Sequence, residues 1–90
     1  MTAARKLVIR GRVQGVGYRD AMIDAARGEG VAGFVRNIHD GSVLAHLQGD
    51  DEAVARVIAW ASQGPPLARV DEVLVEAIDP DPAHTSFRRG

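Results

Sequence analysis

The chain has 90 residues, of which 46% are hydrophobic and 26% charged, and it contains no cysteine. A chain of this length predicts one domain over residues 1–90, and without cysteine it has neither disulfides nor thiolate ligands. Eleven basic and twelve acidic residues give a net charge of -1, which argues against a nucleic-acid-binding protein that relies on phosphate contacts. No segment is apolar over the length of a signal peptide or a membrane span, so a cytoplasmic location is expected.

Hydrophobic periodicity predicts the secondary structure. Four segments alternate hydrophobic and polar residues, as strands with one buried face do: Lys6–Val13, Val31–Asn37, Ser42–Gln48 and Val70–Ile78. The turn His39-Asp40-Gly41 joins the second and third of these strands as a hairpin. Two segments have helical periodicity: Tyr18 to about Arg27, and a segment that begins after Asp50 or Asp51 and ends before Gly64-Pro65-Pro66. A short final strand is expected over Thr85–Arg88.

The order of these elements, β-α-β-β-α-β, predicts an α+β fold. Strands and amphipathic helices of this spacing form a ferredoxin-like βαββαβ sandwich, in which an antiparallel sheet carries both helices on one face. If the first helix connects two parallel strands, the carboxyl ends of those strands lie at the same edge of the sheet. We therefore expect the loop from Gln14 to Tyr18, Arg19 in the first helical turn, and Asn37 at the end of the second strand to lie close together.

The residues at this edge suit a phosphoryl group. Gly15 and Gly17 allow the backbone to approach a ligand and to turn successive N–H groups toward an anion. The following helix start adds free N–H donors, and Arg19 offers a planar fork for phosphate oxygens. The chain lacks G-x-x-x-x-G-K-[ST], and Asp20 replaces the third glycine of the dinucleotide fingerprint. The sequence therefore excludes these two common nucleotide-binding motifs.

Two stretches of the chain resemble the signatures of the acylphosphatase family. They are Gly11–Arg19, which reads G-R-V-Q-G-V-G-Y-R, and Gly33–Val43, which reads G-F-V-R-N-I-H-D-G-S-V and is followed by Gly49. The resemblance extends roughly from Leu7 to Phe87. Tyr18 replaces the Phe of many members, and Glu29 replaces a residue that is more often apolar. Because of Glu29, we expect the first helix to end weakly.

The resemblance implies a metal-free hydrolase that cleaves small acyl phosphates to a carboxylate and inorganic phosphate, without a cofactor or a covalent intermediate. Arg19 would bind the phosphoryl group, and Asn37 would position the attacking water. Backbone N–H groups of the loop would add phosphate contacts: Gln14, Gly15, Val16, Gly17 and Tyr18. The expected partners are the acyl phosphate and inorganic phosphate as product and inhibitor, with no nucleic acid and no membrane. A monomer is expected.

Two other functions are open to a domain of this kind. A non-catalytic phosphate-binding or regulatory module is the main alternative, since the same fold and loop occur within larger carbamoyl-transferring proteins. A nucleic-acid-binding domain would need stacking aromatic residues, and these make up only 4% of the chain.

The spacing of His39, His46 and His84 suggests no shared metal site, so they are assigned to the surface or to turns. Trp60 and Phe34 are assigned to packing.

Overall fold

The computed structural model describes residues Met1–Gly90 and contains five strands and two helices. In chain order the elements are β1 (Thr2–Arg12), α1 (Tyr18–Gly28), β2 (Ala32–Asn37), β3 (Val43–Asp50), α2 (Asp51–Ala61), β4 (Arg69–Ala77) and β5 (Phe87–Arg89). The predicted order of elements is confirmed. β1 begins at Thr2 rather than at Lys6, because the first residues continue the pairing with β3 as far as the partners Thr2 and Asp50.

All strands belong to one sheet, in the order β4-β1-β3-β2-β5. The pairs β1–β3, β1–β4 and β2–β3 are antiparallel, as predicted. β2 and β5 pair in parallel, so the sheet is mixed and not purely antiparallel. Because β1 and β2 both run antiparallel to β3, which lies between them, β1 and β2 are parallel to each other. Their carboxyl ends therefore lie at the same edge of the sheet.

One face of the sheet packs against both helices. α1 contacts β2 and β5, α2 contacts β1 and β3, and the two helices contact each other. The largest fully buried side chains lie between these layers: Leu7, Ile9, Val13, Tyr18, Met22, Val35, Val43, Leu47, Val54, Val57 and Phe87. Burying one such side chain contributes about 1.5–3 kcal/mol, so this layer is the main source of stability. β4 lies at the sheet edge beyond α2, and its Val75 stays about half exposed.

Side-chain contacts fix the helix ends. Asp50 is the N-cap of α2, and its carboxylate accepts a hydrogen bond of 3.2 Å from the N–H of Glu52. At the end of α1, Glu29 accepts a hydrogen bond of 2.8 Å from Nε of Arg56 in α2. Glu29, which differs from the family pattern, therefore links the end of α1 to α2 through its side chain. Neither helix has the length and apolar character needed to cross a membrane.

Candidate active site

The loop between β1 and α1 is shaped to bind an anion. Gly15 and Gly17 have φ angles of 73° and 80°, whereas Val16 between them has a negative φ. This alternation turns successive N–H groups toward one side, and the two left-handed positions favour residues without a Cβ. Gly17 is also the N-cap of α1, and it has no side chain to satisfy the first helical N–H groups. The side chain of Val16 packs against the core and anchors the loop.

Free donors surround a small cavity beside this loop. None of the N–H groups of residues 15–20 donates a hydrogen bond within the protein. The cavity has a volume of about 130 Å³, and Gly15, Gly17 and Arg19 lie in its wall. Arg19 takes part in none of the ion pairs of the protein, so its guanidinium is available to a ligand. Free N–H groups, the positive end of a helix and one unpaired cation together suit a small anion.

Asn37 is the last residue of β2 and supplies an unused acceptor. It follows the buried Gly33 and Val35 on the helix-facing side of the sheet. Its Oδ1 atom is buried and has no hydrogen-bond partner in the protein. Leaving such an oxygen without a donor costs about 1–3 kcal/mol, so this atom is suited to a bound water or ligand. Asn37 does not line the cavity beside Arg19 but lies at the end of β2, which β3 separates from β1.

Gln14 connects the loop to the turn that follows Asn37. Its side-chain Nε2 donates hydrogen bonds of 2.8 Å to the carbonyl oxygens of Ile38 and Ser42. The turn is closed by Asp40, whose Oδ1 accepts from the N–H of Ser42 at 2.9 Å and from its hydroxyl at 2.6 Å. These two bonds lower the pKa of the Asp40 carboxyl. The sequence assigned only a backbone role to Gln14, because its side-chain partners are far away along the chain.

Tyr18 holds the start of α1 against the end of α2. Its buried hydroxyl donates a hydrogen bond of 2.8 Å to the carbonyl of Ala61, and its ring lies 5.3 Å from that of Trp60. Burial raises the pKa of the Tyr18 hydroxyl. Only the N–H group of Tyr18 is therefore available to a ligand, and Trp60 has the packing role expected of it.

The histidines lie away from this site. His39 is exposed in the turn after β2. His46 and His84 contact each other on the opposite face of the sheet, with ring centroids 4.7 Å apart, and both rings lie near Phe34. His84 and His46 are thus partly buried neighbours rather than isolated surface residues. No three His, Asp or Glu side chains lie close enough together to hold a metal ion.

Comparison with known proteins gives consistent results. The family model described as Acylphosphatase matches residues 5–89. A curated acylphosphatase from Thermococcus kodakarensis is 55% identical over 83% of this chain and 82% of its own length. One from Chromohalobacter salexigens is 50% identical over 94% of this chain and 93% of its own length. The crystal structure of acylphosphatase from Bacillus subtilis superposes with a TM-score of 0.93 at 28% identity, covering 100% of this chain and 99% of that one.

Proposed function

Since the chain belongs to the acylphosphatase family, and is therefore a hydrolase of acyl phosphates, we propose that hydrolysis takes place in the cavity beside Arg19 without a metal ion. One observation carries this assignment: Gly15, Gly17 and Tyr18, whose N–H groups are free, line the same small cavity as Arg19, which has no ion-pair partner. A phosphoryl group is the anion that the family's substrates bring to such a site.

Arg19 and the loop bind the phosphoryl oxygens in this proposal. Phosphoryl transfer requires mainly positioning and stabilisation of negative charge, because there is little covalent chemistry for the protein to perform. A guanidinium offers two parallel N–H donors, and the N–H groups of Gly15 to Tyr18 are already oriented before substrate binds. The unoccupied donors therefore need no reorganisation when charge develops on the phosphoryl oxygens.

Asn37 positions the attacking water. Its Oδ1 has no partner in the protein, so it accepts a hydrogen bond from the water and orients an oxygen lone pair toward phosphorus. Gln14 fixes the distance between this amide and the phosphate-binding loop, because its side chain bonds to the residue after Asn37. The phosphoryl group and the water are thus held by two rigidly joined segments.

The leaving group removes the need for a general acid. The carboxylate that departs has a parent pKa of about 4, so it leaves as an anion without being protonated. The water oxygen bonds to phosphorus, the bond between phosphorus and the acyl oxygen breaks, and one water proton passes to a phosphoryl oxygen. The products are a carboxylate and dihydrogen phosphate. We therefore expect no rate-controlling enzyme group near neutral pH; a pH-rate profile that changes when His39 is replaced would contradict this step.

Binding of inorganic phosphate tests the site independently of chemistry. Phosphate should raise the melting temperature by mass action and inhibit hydrolysis competitively. Arg19→Ala should abolish this thermal shift and stay folded, whereas an unchanged shift would contradict the role of Arg19. A wild type that binds phosphate through Arg19 but fails to hydrolyse acyl phosphates would instead be a phosphate-binding module. The monomeric state and cytoplasmic location remain predictions from the sequence, and sedimentation would test the first of them.

A further inference from the structure

Arg89 lies in the wall of the cavity that contains Arg19. β5 pairs in parallel with β2, with Gly33 opposite Phe87 and Val35 opposite Arg89. Phe87 is buried beneath the helices, and because strand side chains alternate, Arg89 points to the same side two residues later. The strand thus brings Arg89 to the cavity beside the loop.

An ion pair orients the Arg89 side chain but uses only part of its hydrogen-bonding capacity. Its Nη2 atom pairs with the carboxylate of Asp20, the third residue of α1. Its Nε and Nη1 atoms make no hydrogen bond within the protein. A guanidinium carries five N–H donors in a fixed plane, so this pairing holds the group in place and leaves donors for a ligand. Arg19 and Arg89 therefore differ, since Arg19 has no ion-pair partner at all.

We infer that Arg89 is a second phosphoryl-binding residue and that Asp20 positions it. This inference rests on the proposed function. The phosphoryl group of an acyl phosphate carries two negative charges near neutral pH, and Arg19 balances one of them. Arg89 brings a second cation to the same cavity, where Asp20 also lies in the wall and offsets part of its charge. The free Nε and Nη1 donors of Arg89 therefore act by charge-assisted hydrogen bonds to phosphoryl oxygens.

The neighbouring Arg88 provides a matched control. It lies in the same strand, and the alternation of strand side chains turns it to the other face of the sheet. Both arginines border a surface hollow beside Phe34, but only Arg89 also lines the cavity beside Arg19. Its Nε donates a hydrogen bond of 3.1 Å to the hydroxyl of Ser86. Arg88→Gln and Arg89→Gln therefore change the net charge equally, one residue apart, and only the second removes donors from the cavity.

The experiment measures the dissociation constant of inorganic phosphate by calorimetry, together with KM and kcat for benzoyl phosphate. Arg89→Gln should weaken phosphate binding about tenfold, whereas Arg88→Gln should change it less than about twofold. Arg89→Lys, which keeps the charge but loses the fork, should fall between wild type and Arg89→Gln. Melting temperatures check that β5 remains in place. Equal effects of Arg88→Gln and Arg89→Gln would overturn the inference, because they would indicate only a general loss of charge.

A second comparison separates direct binding from neutralisation of Asp20. If Arg89 contacts phosphate, Arg89→Gln weakens phosphate binding also in a protein that carries Asp20→Asn. If Arg89 only neutralises the Asp20 charge, the double variant binds phosphate as Asp20→Asn does, and the inference fails. A wild type that neither binds phosphate nor hydrolyses benzoyl phosphate would overturn the proposed function and this inference together. A wild type that does both, with no specific effect of Arg89→Gln, would overturn the role of Arg89 alone.

Discussion

Replacing Tyr18 by Phe removes one oxygen atom and tests how the start of α1 is held in place. The hydroxyl is buried and donates a 2.8 Å hydrogen bond to the carbonyl of Ala61, which Tyr18→Phe leaves without its donor. We expect the free energy of unfolding to fall by about 1–2 kcal/mol, because a lost hydrogen bond and an unsatisfied buried carbonyl act together. For a domain of this size, each 1 kcal/mol lowers the melting temperature by about 4–8 °C.

The same hydroxyl gives the stability a defined dependence on pH. Burial raises the pKa of Tyr18 above its ordinary value of 10.0. Above about pH 10 the unfolded chain loses this proton while the folded protein keeps it, so the unfolded state binds fewer protons and stability falls as pH rises. The contribution is fully present below the unfolded pKa and is lost as pH rises through the folded pKa. Between these two pKa values the free energy of unfolding falls by about 1.4 kcal/mol per pH unit.

Urea unfolding of wild type and Tyr18→Phe between about pH 8 and pH 11 measures this contribution directly. Other groups titrate in both proteins, so the difference between the two curves isolates the tyrosine. The gap should be largest near neutral pH and should shrink above about pH 10. Phosphate affinity should be unchanged, because only the N–H of this residue faces the loop. Parallel stability curves over the whole range, or equal melting temperatures, would refute the reasoning.

Three further substitutions test the loop and its support. A Cβ added at Gly17 meets no atom within 4 Å, so only the φ of 80° disfavours Gly17→Ala. We expect this variant to have a free energy of unfolding lower by about 1–2 kcal/mol and to bind phosphate more weakly. The matched control is Gly28→Ala, because Gly28 lies at the other end of the same helix and has no positive φ. In thermal unfolding this variant should have a free energy of unfolding higher by about 0.5–1 kcal/mol than wild type. Gln14→Ala should lower kcat at least about tenfold while the phosphate dissociation constant changes less than about threefold, because Arg19 and the loop N–H groups remain. Equal stabilities of the two glycine variants, or an equal loss of binding and turnover in Gln14→Ala, would contradict these expectations.

Much of the fold could be predicted because it depends on local patterns. Alternating hydrophobic residues and one amphipathic stripe per helix fix the type and order of the elements before any long-range contact is known. The last strand shows where this reasoning fails. It was expected over Thr85–Arg88 and is found over Phe87–Arg89, since three residues carry no periodicity and form a strand only through parallel pairing with β2. The mixed character of the sheet follows from that same pairing.

The candidate site, like the fold, could be predicted from the sequence only in part. Arg19 and Asn37 could be proposed from the sequence, because a glycine loop, a helix start and the ends of two parallel strands place them at one edge. The side-chain bonds of Gln14 and Tyr18 could not, since their partners lie 24, 28 and 43 residues away and no local pattern marks them. Arg89 was missed because its approach to the cavity depends on the parallel β2–β5 pair.

Hydrolysis of benzoyl phosphate in the presence of excess chelator tests the central claim most directly, with wild type, Arg19→Ala and Asn37→Ala compared under identical conditions. The wild type should turn over without metal, and each variant should stay folded and lose at least about 100-fold in kcat/KM. Arg19→Ala should also lose phosphate binding, whereas Asn37→Ala should retain it, because the amide acts on the water. A wild type that requires added metal, or a variant at either position with unchanged turnover, would contradict the account.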